Sequence, residues 1–118
     1  MDIYRGEIYF VELGPTRGKE IDFKKRPVVV LSVNEINQKP LVVAVIPGGT
    51  HKVEKPVHRT EVKVEPSPTN GLSVPTIFQC HQIKAIDKSR FVDNPAGILS
   101  LMDLRRIEET TKLCLGLT

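Results

Sequence analysis

Three consecutive cations, Lys24, Lys25 and Arg26, stand directly before a short apolar run. The run opens with Pro27 and continues over residues 28–31, where three of the four residues are β-branched. This pattern is typical of a strand buried on both faces, and a proline is tolerated at its first position. A guanidinium held at the edge of such a strand can form paired hydrogen bonds to a phosphate. Arg26 is therefore the first candidate for phosphate chemistry.

Positive charge is concentrated in two segments of the chain. Five cations lie between Arg17 and Arg26, and four cations with two histidines lie between His51 and Lys63. The net charge of +3 is modest; it permits nucleic-acid binding without establishing it. Residues 14–25 form a predicted loop of about a dozen residues, a length that is usual for functional or disordered loops.

Five or six short strands are predicted to position these side chains. Strand patterns cover residues 4–13, 28–33, 41–46, 60–65 and 73–80, the last continuing to residue 87 after a bend. The segment from Pro47 to Thr50 is predicted to end the third strand sharply, and residues 34–40 are predicted to be a polar connection with one helical turn. Residues 88–99 are predicted to be mainly loop.

One helix is predicted, from Ser100 to Leu115. Ser100 and Asp103 resemble a capping box, and Gly116 is placed to end the helix. An apolar stripe at helical spacing predicts the face that packs on the sheet. The fold class is thus mainly β with a C-terminal helix, built as a small, strongly curved antiparallel sheet or barrel. The stripe comprises Leu101, Leu104, Ile107, Thr111 and Cys114.

Composition limits the class of protein. At 118 residues, 40% apolar and 26% charged, the chain is expected to be one soluble globular domain over residues 1–118. No apolar run approaches the roughly 20 residues that cross a bilayer, and the N-terminus has no signal-peptide core, so we expect a cytoplasmic protein without membrane contact. Cys80 and Cys114 form no CxxC pair, which argues against a zinc or redox motif and favours buried thiols.

Several segments together resemble the MazF/PemK-type toxins of toxin–antitoxin systems. The resemblance extends over nearly the whole chain, with its motifs in order and at matching spacing. It is carried by Arg5-Gly6-Glu7-Ile8-Tyr9, Gly14-Pro15-Thr16-Arg17-Gly18-Lys19-Glu20, Arg26-Pro27-Val28-Val29-Val30-Leu31, the stretch from Gln82 to Arg90, and the stretch from Lys112 to Leu117.

The resemblance implies an SH3-like β-barrel with a C-terminal helix, assembled as a homodimer. It implies a growth-inhibiting, sequence-specific endoribonuclease of the mRNA-interferase type that cuts single-stranded RNA without a metal or other cofactor. In this family the ribose 2′-hydroxyl attacks the adjacent phosphate, which leaves a cyclic phosphate and a free 5′-hydroxyl. A cognate antitoxin protein blocks the RNA groove, and operator DNA is contacted only through the antitoxin complex.

The resemblance also implies catalytic residues, and here the chain departs from the family pattern. Arg26 matches the catalytic arginine that precedes a proline. The catalytic threonine falls on Ile46 or Pro47 in an ungapped match, and Thr50 replaces it only if the loop shifts; otherwise Thr50 is a turn residue. An arginine and an aspartate of PemK-like members become Gln79 and His81.

We predict that His81 takes the role of the base, since an imidazole suits proton transfer at neutral pH better than a carboxylate. A phosphate-binding role is predicted for Lys19, and base stacking for Phe23. The remaining predicted RNA contacts are Arg17, Glu20, Lys24, Lys25, His51, Lys52, Gln79 and Gln82.

Three alternatives remain at this stage. The altered residues Ile46, Gln79 and His81 favour a cleavage-impaired RNA-binding homologue on the same barrel. A CcdB-like gyrase inhibitor would act through protruding aromatic and apolar C-terminal residues, but residues 113–118 contain no aromatic. A translation-associated SH3-like module is the third, against which the match at Arg26-Pro27 argues.

Overall fold

Seven strands and two helices are formed by the residues that the computed structural model describes, which are 2–14, 25–39 and 41–117. The mainly β class with a C-terminal helix is confirmed. The strands outnumber the five or six predicted because residues 73–87 form two strands and residues 88–99 contain a short one. The elements are β1 (Glu7–Glu12), β2 (Lys25–Val30), α1 (Asn34–Asn37), β3 (Val42–Thr50), β4 (Glu61–Val64), β5 (Thr76–Gln79), β6 (Lys84–Asp87), β7 (Gly97–Ile98) and α2 (Leu101–Leu115).

The strands form one antiparallel sheet in the order β4-β5-β3-β2-β1-β7, and β6 pairs with β3 as well. The sheet is curled into a half-barrel. β3 therefore occupies the centre, because β2 lies along one of its edges while β5 and β6 share the other.

The central strands are buried on both faces, as predicted for β2. Val28 and Val30 pack with Tyr9 in one cluster, which we call the first core. Val29 packs with Ile8 in a separate cluster, the second core. Because successive side chains of a strand point to opposite faces, a continuous run of apolar residues supplies both clusters.

β3 does not end at Pro47, so the predicted turn at residues 47–50 is wrong. Val30 pairs with Val45 and Val28 with Pro47, after which residues 48–50 pair with β5. Proline and glycine occupy the point at which the strand changes partners. A Cβ atom added at Gly48 would lie 2.9 Å from Cδ1 of Phe78, so the ring on β5 requires a glycine there.

A short 3₁₀ turn, Cys80–Gln82, separates β5 from β6. Between the pairs Val45–Lys84 and Gly48–Phe78, three steps along β3 oppose six steps along its partner. The turn accommodates the three extra residues. This confirms the predicted bend after Cys80.

α2 covers the second core. Ser100 Oγ accepts a hydrogen bond from the backbone N–H of Asp103 at 3.1 Å, and Gly116 ends the helix at a φ of 71°, as predicted. Ile107 is fully buried and Leu104 packs against the second core, whereas Leu101 is 65% exposed, so the packed stripe does not include Leu101. Neither helix in the described part of the chain is long and apolar enough to cross a membrane.

Candidate active site

A cleft of about 510 Å³ lies where β3 leaves β2 and joins β5. β2, β3, β4 and β5 and the loop between β3 and β4 all contribute to it. Two glycines, Gly48 and Gly49, line the cleft without adding side-chain bulk to it. Several other lining groups can bind an anion or exchange a proton. Those polar groups include Arg26, Thr50, His51, His58, Glu61 and Gln79.

Arg26 is brought to the cleft by β2, as the sequence predicted for a strand-edge guanidinium. A Cβ atom added at Gly49 would lie 3.5 Å from Arg26 Nη1, which places the guanidinium over the bare backbone of β3. The side chain is half-buried. The fork of Arg26 is therefore held by two paired strands and directed into the cleft.

Thr50 reaches the same cleft because β3 is longer than predicted. It is the last residue of β3 and pairs with Thr76. Ile46, where an ungapped match places the family's threonine, is completely buried in the second core, and Pro47 is also buried. Among these three positions, only Thr50 lines the cleft.

The loop between β3 and β4 forms one wall, and both of its ends are pinned. The backbone N–H of His51 donates to Pro75 O at 2.9 Å, and His51 Nε2 lies 3.3 Å from Lys55 O. At the other end, the backbone N–H of His58 donates to Glu61 Oε1 at 3.0 Å, and the N–H of Glu61 donates back to His58 O at 3.0 Å. The wall is thus fixed by backbone contacts.

Lys52 and Lys55 are exposed on this wall and line the cleft. Their ammonium groups add to the charge of Arg26, so the described part of the cleft holds three permanent cations and one carboxylate, Glu61. The arrangement suits a polyanion.

The two residues that flank Cys80 lie in different environments, Gln79 at the cleft and His81 at the surface. Gln79 lines the cleft, and its Oε1 accepts a hydrogen bond from Gln82 Nε2 at 2.7 Å. His81 is exposed on the 3₁₀ turn and is not among the residues that line the cleft. Cys80 is fully buried beside α2, and this burial raises the pKa of its thiol to about 11. Its neighbour Cys114 is partly buried.

Not every predicted RNA contact lies in the cleft. Lys25 Nζ is 2.7 Å from Asp93 Oδ2, and this hydrogen bond raises the pKa of Lys25, whose side chain does not line the cleft. Gln82 contacts Gln79 without lining the cleft. The other predicted contacts, Arg17, Lys19, Glu20, Phe23 and Lys24, lie outside the described residues.

Lys55, His58 and Glu61 also line the cleft, although no motif in the sequence points to them. Glu61 is opposite Gln79 in the pairing of β4 with β5, and this pairing brings the loop's end to the cleft. The available signal was the density of cations and histidines between His51 and Lys63, which marks a polar segment without showing where it folds.

The chain corresponds to a known class of toxin. Residues 4–115 match the family described as PemK-like, MazF-like toxin of type II toxin-antitoxin system. The chain is 35% identical over 118 residues to endoribonuclease MazF9 of Mycobacterium tuberculosis (strain ATCC 25618 / H37Rv), with 96% of each chain covered. The protein therefore belongs to the PemK/MazF toxin family, which confirms the resemblance found in the sequence.

Solved structures support the fold. MazF from Deinococcus radiodurans superposes with a TM-score of 0.81 at 17% identity, covering 99% of both chains. An endoribonuclease in complex with its cognate antitoxin, from Mycobacterial species, has a TM-score of 0.73 at 19% identity and covers 99% of this chain and 96% of its own. At these identities the likeness establishes the fold alone.

Proposed function

We propose that the cleft is the active site of a toxin endoribonuclease that cuts single-stranded RNA and inhibits translation and growth. Membership of the PemK/MazF toxin family supports the activity. The observation that carries the site is the position of the Arg26 guanidinium, held over Gly49 in a cleft that Thr50 also lines. A phosphate placed there meets a planar pair of donors and a hydroxyl.

In the proposed reaction, the ribose 2′-oxygen attacks the adjacent phosphorus and the bond to the 5′-oxygen breaks. Negative charge develops on the non-bridging oxygens, where donors that are already positioned stabilise the transition state most. Arg26 supplies two parallel N–H groups and Thr50 a hydroxyl. Lys52 and Lys55 attract the neighbouring phosphates. These residues carry out the step without a metal, in keeping with the family resemblance.

Gln79 is proposed to contact a nucleobase, because an amide offers both a donor and an acceptor to a base edge. His51 is proposed to contact the RNA within the cleft, and Gln82 and Lys25 are proposed to contact it outside the cleft. The role of His81 as the base stays a prediction from the sequence. His81 is exposed on the 3₁₀ turn, and a direct comparison of variants tests this role.

The test is cleavage of a long, mostly unstructured RNA by the purified protein in excess EDTA, with product ends identified. We expect discrete cuts that leave a cyclic phosphate and a 5′-hydroxyl. Arg26→Lys keeps a positive charge but loses the fork, so we expect cleavage to fall at least about 100-fold. Arg105→Ala, which removes an exposed arginine on α2, serves as the matched control and should cleave like wild type.

Two results would contradict the proposal. Wild-type protein that binds RNA without cutting it would indicate the cleavage-impaired homologue, for which the burial of Ile46 and Pro47 at the family's threonine position is the structural argument. Cleavage that survives Arg26→Lys undiminished would show that the phosphate is bound elsewhere.

We further propose a cognate antitoxin as a partner and a homodimer as the assembly. The antitoxin complex of a structurally similar endoribonuclease supports the first. For the second, Leu113, Leu115 and Leu117 are each about half exposed at the C-terminal end, an apolar surface that self-association would bury. The proposed location is the cytoplasm. Operator DNA would be contacted only through the antitoxin complex.

A further inference from the structure

Metal-free cleavage of RNA requires a group that accepts the proton of the 2′-hydroxyl. The group must reach the cleft, have an unprotonated atom, and be held in place. Three side chains of a type that can accept a proton line the described part of the cleft: His51, His58 and Glu61. The question of which one accepts the proton rests on the endoribonuclease function proposed above.

His51 is positioned by the end of the sheet. It directly follows Thr50, its backbone N–H donates to Pro75 O at 2.9 Å, and its side chain is half-buried. The hydrogen bond thereby extends the pairing of β3 with β5 by one residue. A base placed at the end of a paired strand keeps its geometry better than one on a free loop.

The contact of the imidazole with Lys55 fixes its tautomer. His51 Nε2 lies 3.3 Å from Lys55 O. A carbonyl oxygen can only accept, so Nε2 must carry the proton, and the neutral ring then has its lone pair on Nδ1. We infer that His51 Nδ1 is the general base of the cleavage reaction, and that the Lys55 carbonyl sets its tautomer.

The other two groups are less suited to this role. Glu61 Oε1 accepts the backbone N–H of His58 at 3.0 Å, and this bond closes the end of the loop. His58 itself is exposed. His81 is exposed on the 3₁₀ turn and does not line the cleft. His51 alone combines partial burial with a fixed tautomer.

His51 Nδ1 takes the proton of the 2′-hydroxyl while the bond from the 2′-oxygen to phosphorus forms. The bond from phosphorus to the 5′-oxygen breaks, and that oxygen leaves with a proton from solvent water. The imidazolium then returns its proton to solvent. Arg26 stabilises the charge on the phosphorane and exchanges no proton.

Protonation of His51 removes the lone pair, so the cleavage rate should fall as the pH is lowered. Charged groups face the same cleft from each neighbouring element: Arg26 from β2, Lys52 and Lys55 from the loop, and Glu61 from β4. His58 also lines the cleft, so the test must separate the two histidines.

The experiment measures kcat/KM from pH 5 to pH 8.5 on an RNA whose cut sites have been mapped with wild type. We expect His51→Gln to lower kcat/KM at pH 7.5 by at least about 100-fold and to abolish the acidic limb. Binding of the same RNA with a 2′-deoxynucleotide at the cut should change less than about threefold. His58→Gln and His81→Gln should keep the acidic limb.

Chemical rescue provides a readout that a structural role would not move. Imidazole added to His51→Gly should restore part of the cleavage and should not affect Arg26→Lys. Retention of both rate and acidic limb in His51→Gln would overturn the inference while leaving the endoribonuclease intact, and a limb that disappears in His81→Gln instead would move the base there. Absence of cleavage by wild type would contradict the proposed function itself.

Discussion

Gly48 provides the sharpest test of the geometry at which β3 changes partners. A methyl group at this position would lie 2.9 Å from Phe78 Cδ1 and 3.0 Å from Phe78 Cε1 and Thr76 Cγ2. Phe78 is completely buried in the second core and Thr76 is also buried, so neither side chain has open space into which it can retreat. Gly48→Ala must therefore separate β3 from β5 or distort the core.

The magnitude follows from two opposing effects. Overpacking of a buried site by one methyl group costs about 1–3 kcal/mol. Alanine also restricts the unfolded chain, which stabilises the fold by about 0.4–1 kcal/mol where the backbone is compatible. We expect a net loss of roughly 1–2 kcal/mol, which corresponds to a decrease in Tm of about 4–8 °C for a chain of this size.

Gly49→Ala is the matched control. The added methyl group would meet Arg26 Nη1 at 3.5 Å, an ordinary contact, and among the described residues no other atom beyond its chain neighbours lies within 4 Å. We expect its free energy of unfolding to equal or exceed that of wild type. Urea denaturation at constant pH, with the slope m compared among the three proteins, measures both effects. If Gly48→Ala and Gly49→Ala are equally stable, the close approach of Phe78 to β3 is wrong.

The cations of the cleft and the buried thiol make two further predictions. In the double variant Lys52→Ala/Lys55→Ala, the slope of log affinity for single-stranded RNA against log salt should become less negative by about 1.4, since each phosphate contact contributes about 0.7. An unchanged slope would place both lysines off the RNA path. The pKa of the Cys80 thiol is about 11 in the folded protein, whereas the thiol of the unfolded chain loses its proton at a lower pH. The folded state therefore binds more protons above pH 9, and the free energy of unfolding falls there. The decrease between pH 9 and pH 11 should be smaller in Cys80→Ala; equal decreases, measured by urea denaturation at each pH, would refute the assignment.

Local sequence patterns correctly predicted the elements that are determined by residues close together in the chain. The apolar run after Arg26 predicted β2, and Ser100 and Gly116 predicted both ends of α2, because capping and strand burial are decided within a few residues. The bend after Cys80 was predicted from the break in strand pattern and is confirmed by the 3₁₀ turn.

Pairing between strands that are distant in the sequence determines the features that local patterns did not predict. Pro47 and Gly48 are turn residues by local preference, yet β3 passes through them because β2 and β5 pair with it on either side. The same pairing moves Thr50 into the cleft and, through Glu61 opposite Gln79, brings the second basic segment, His51 to Lys63, beside Arg26. No spacing along the chain encodes these neighbours.

The strand order also determines how late in the sequence the residues that complete the sheet and the core are found. β1 pairs with β7 through Glu7 and Ile98, so folding must close a loop that contains most of the chain. Ile107 of α2 then fills the second core, against which β4 and the 3₁₀ turn pack. Pairings of such wide sequence separation slow folding. A chain that ended before α2 would carry every described residue of the cleft but would lack Ile107, so its second core would stay incomplete.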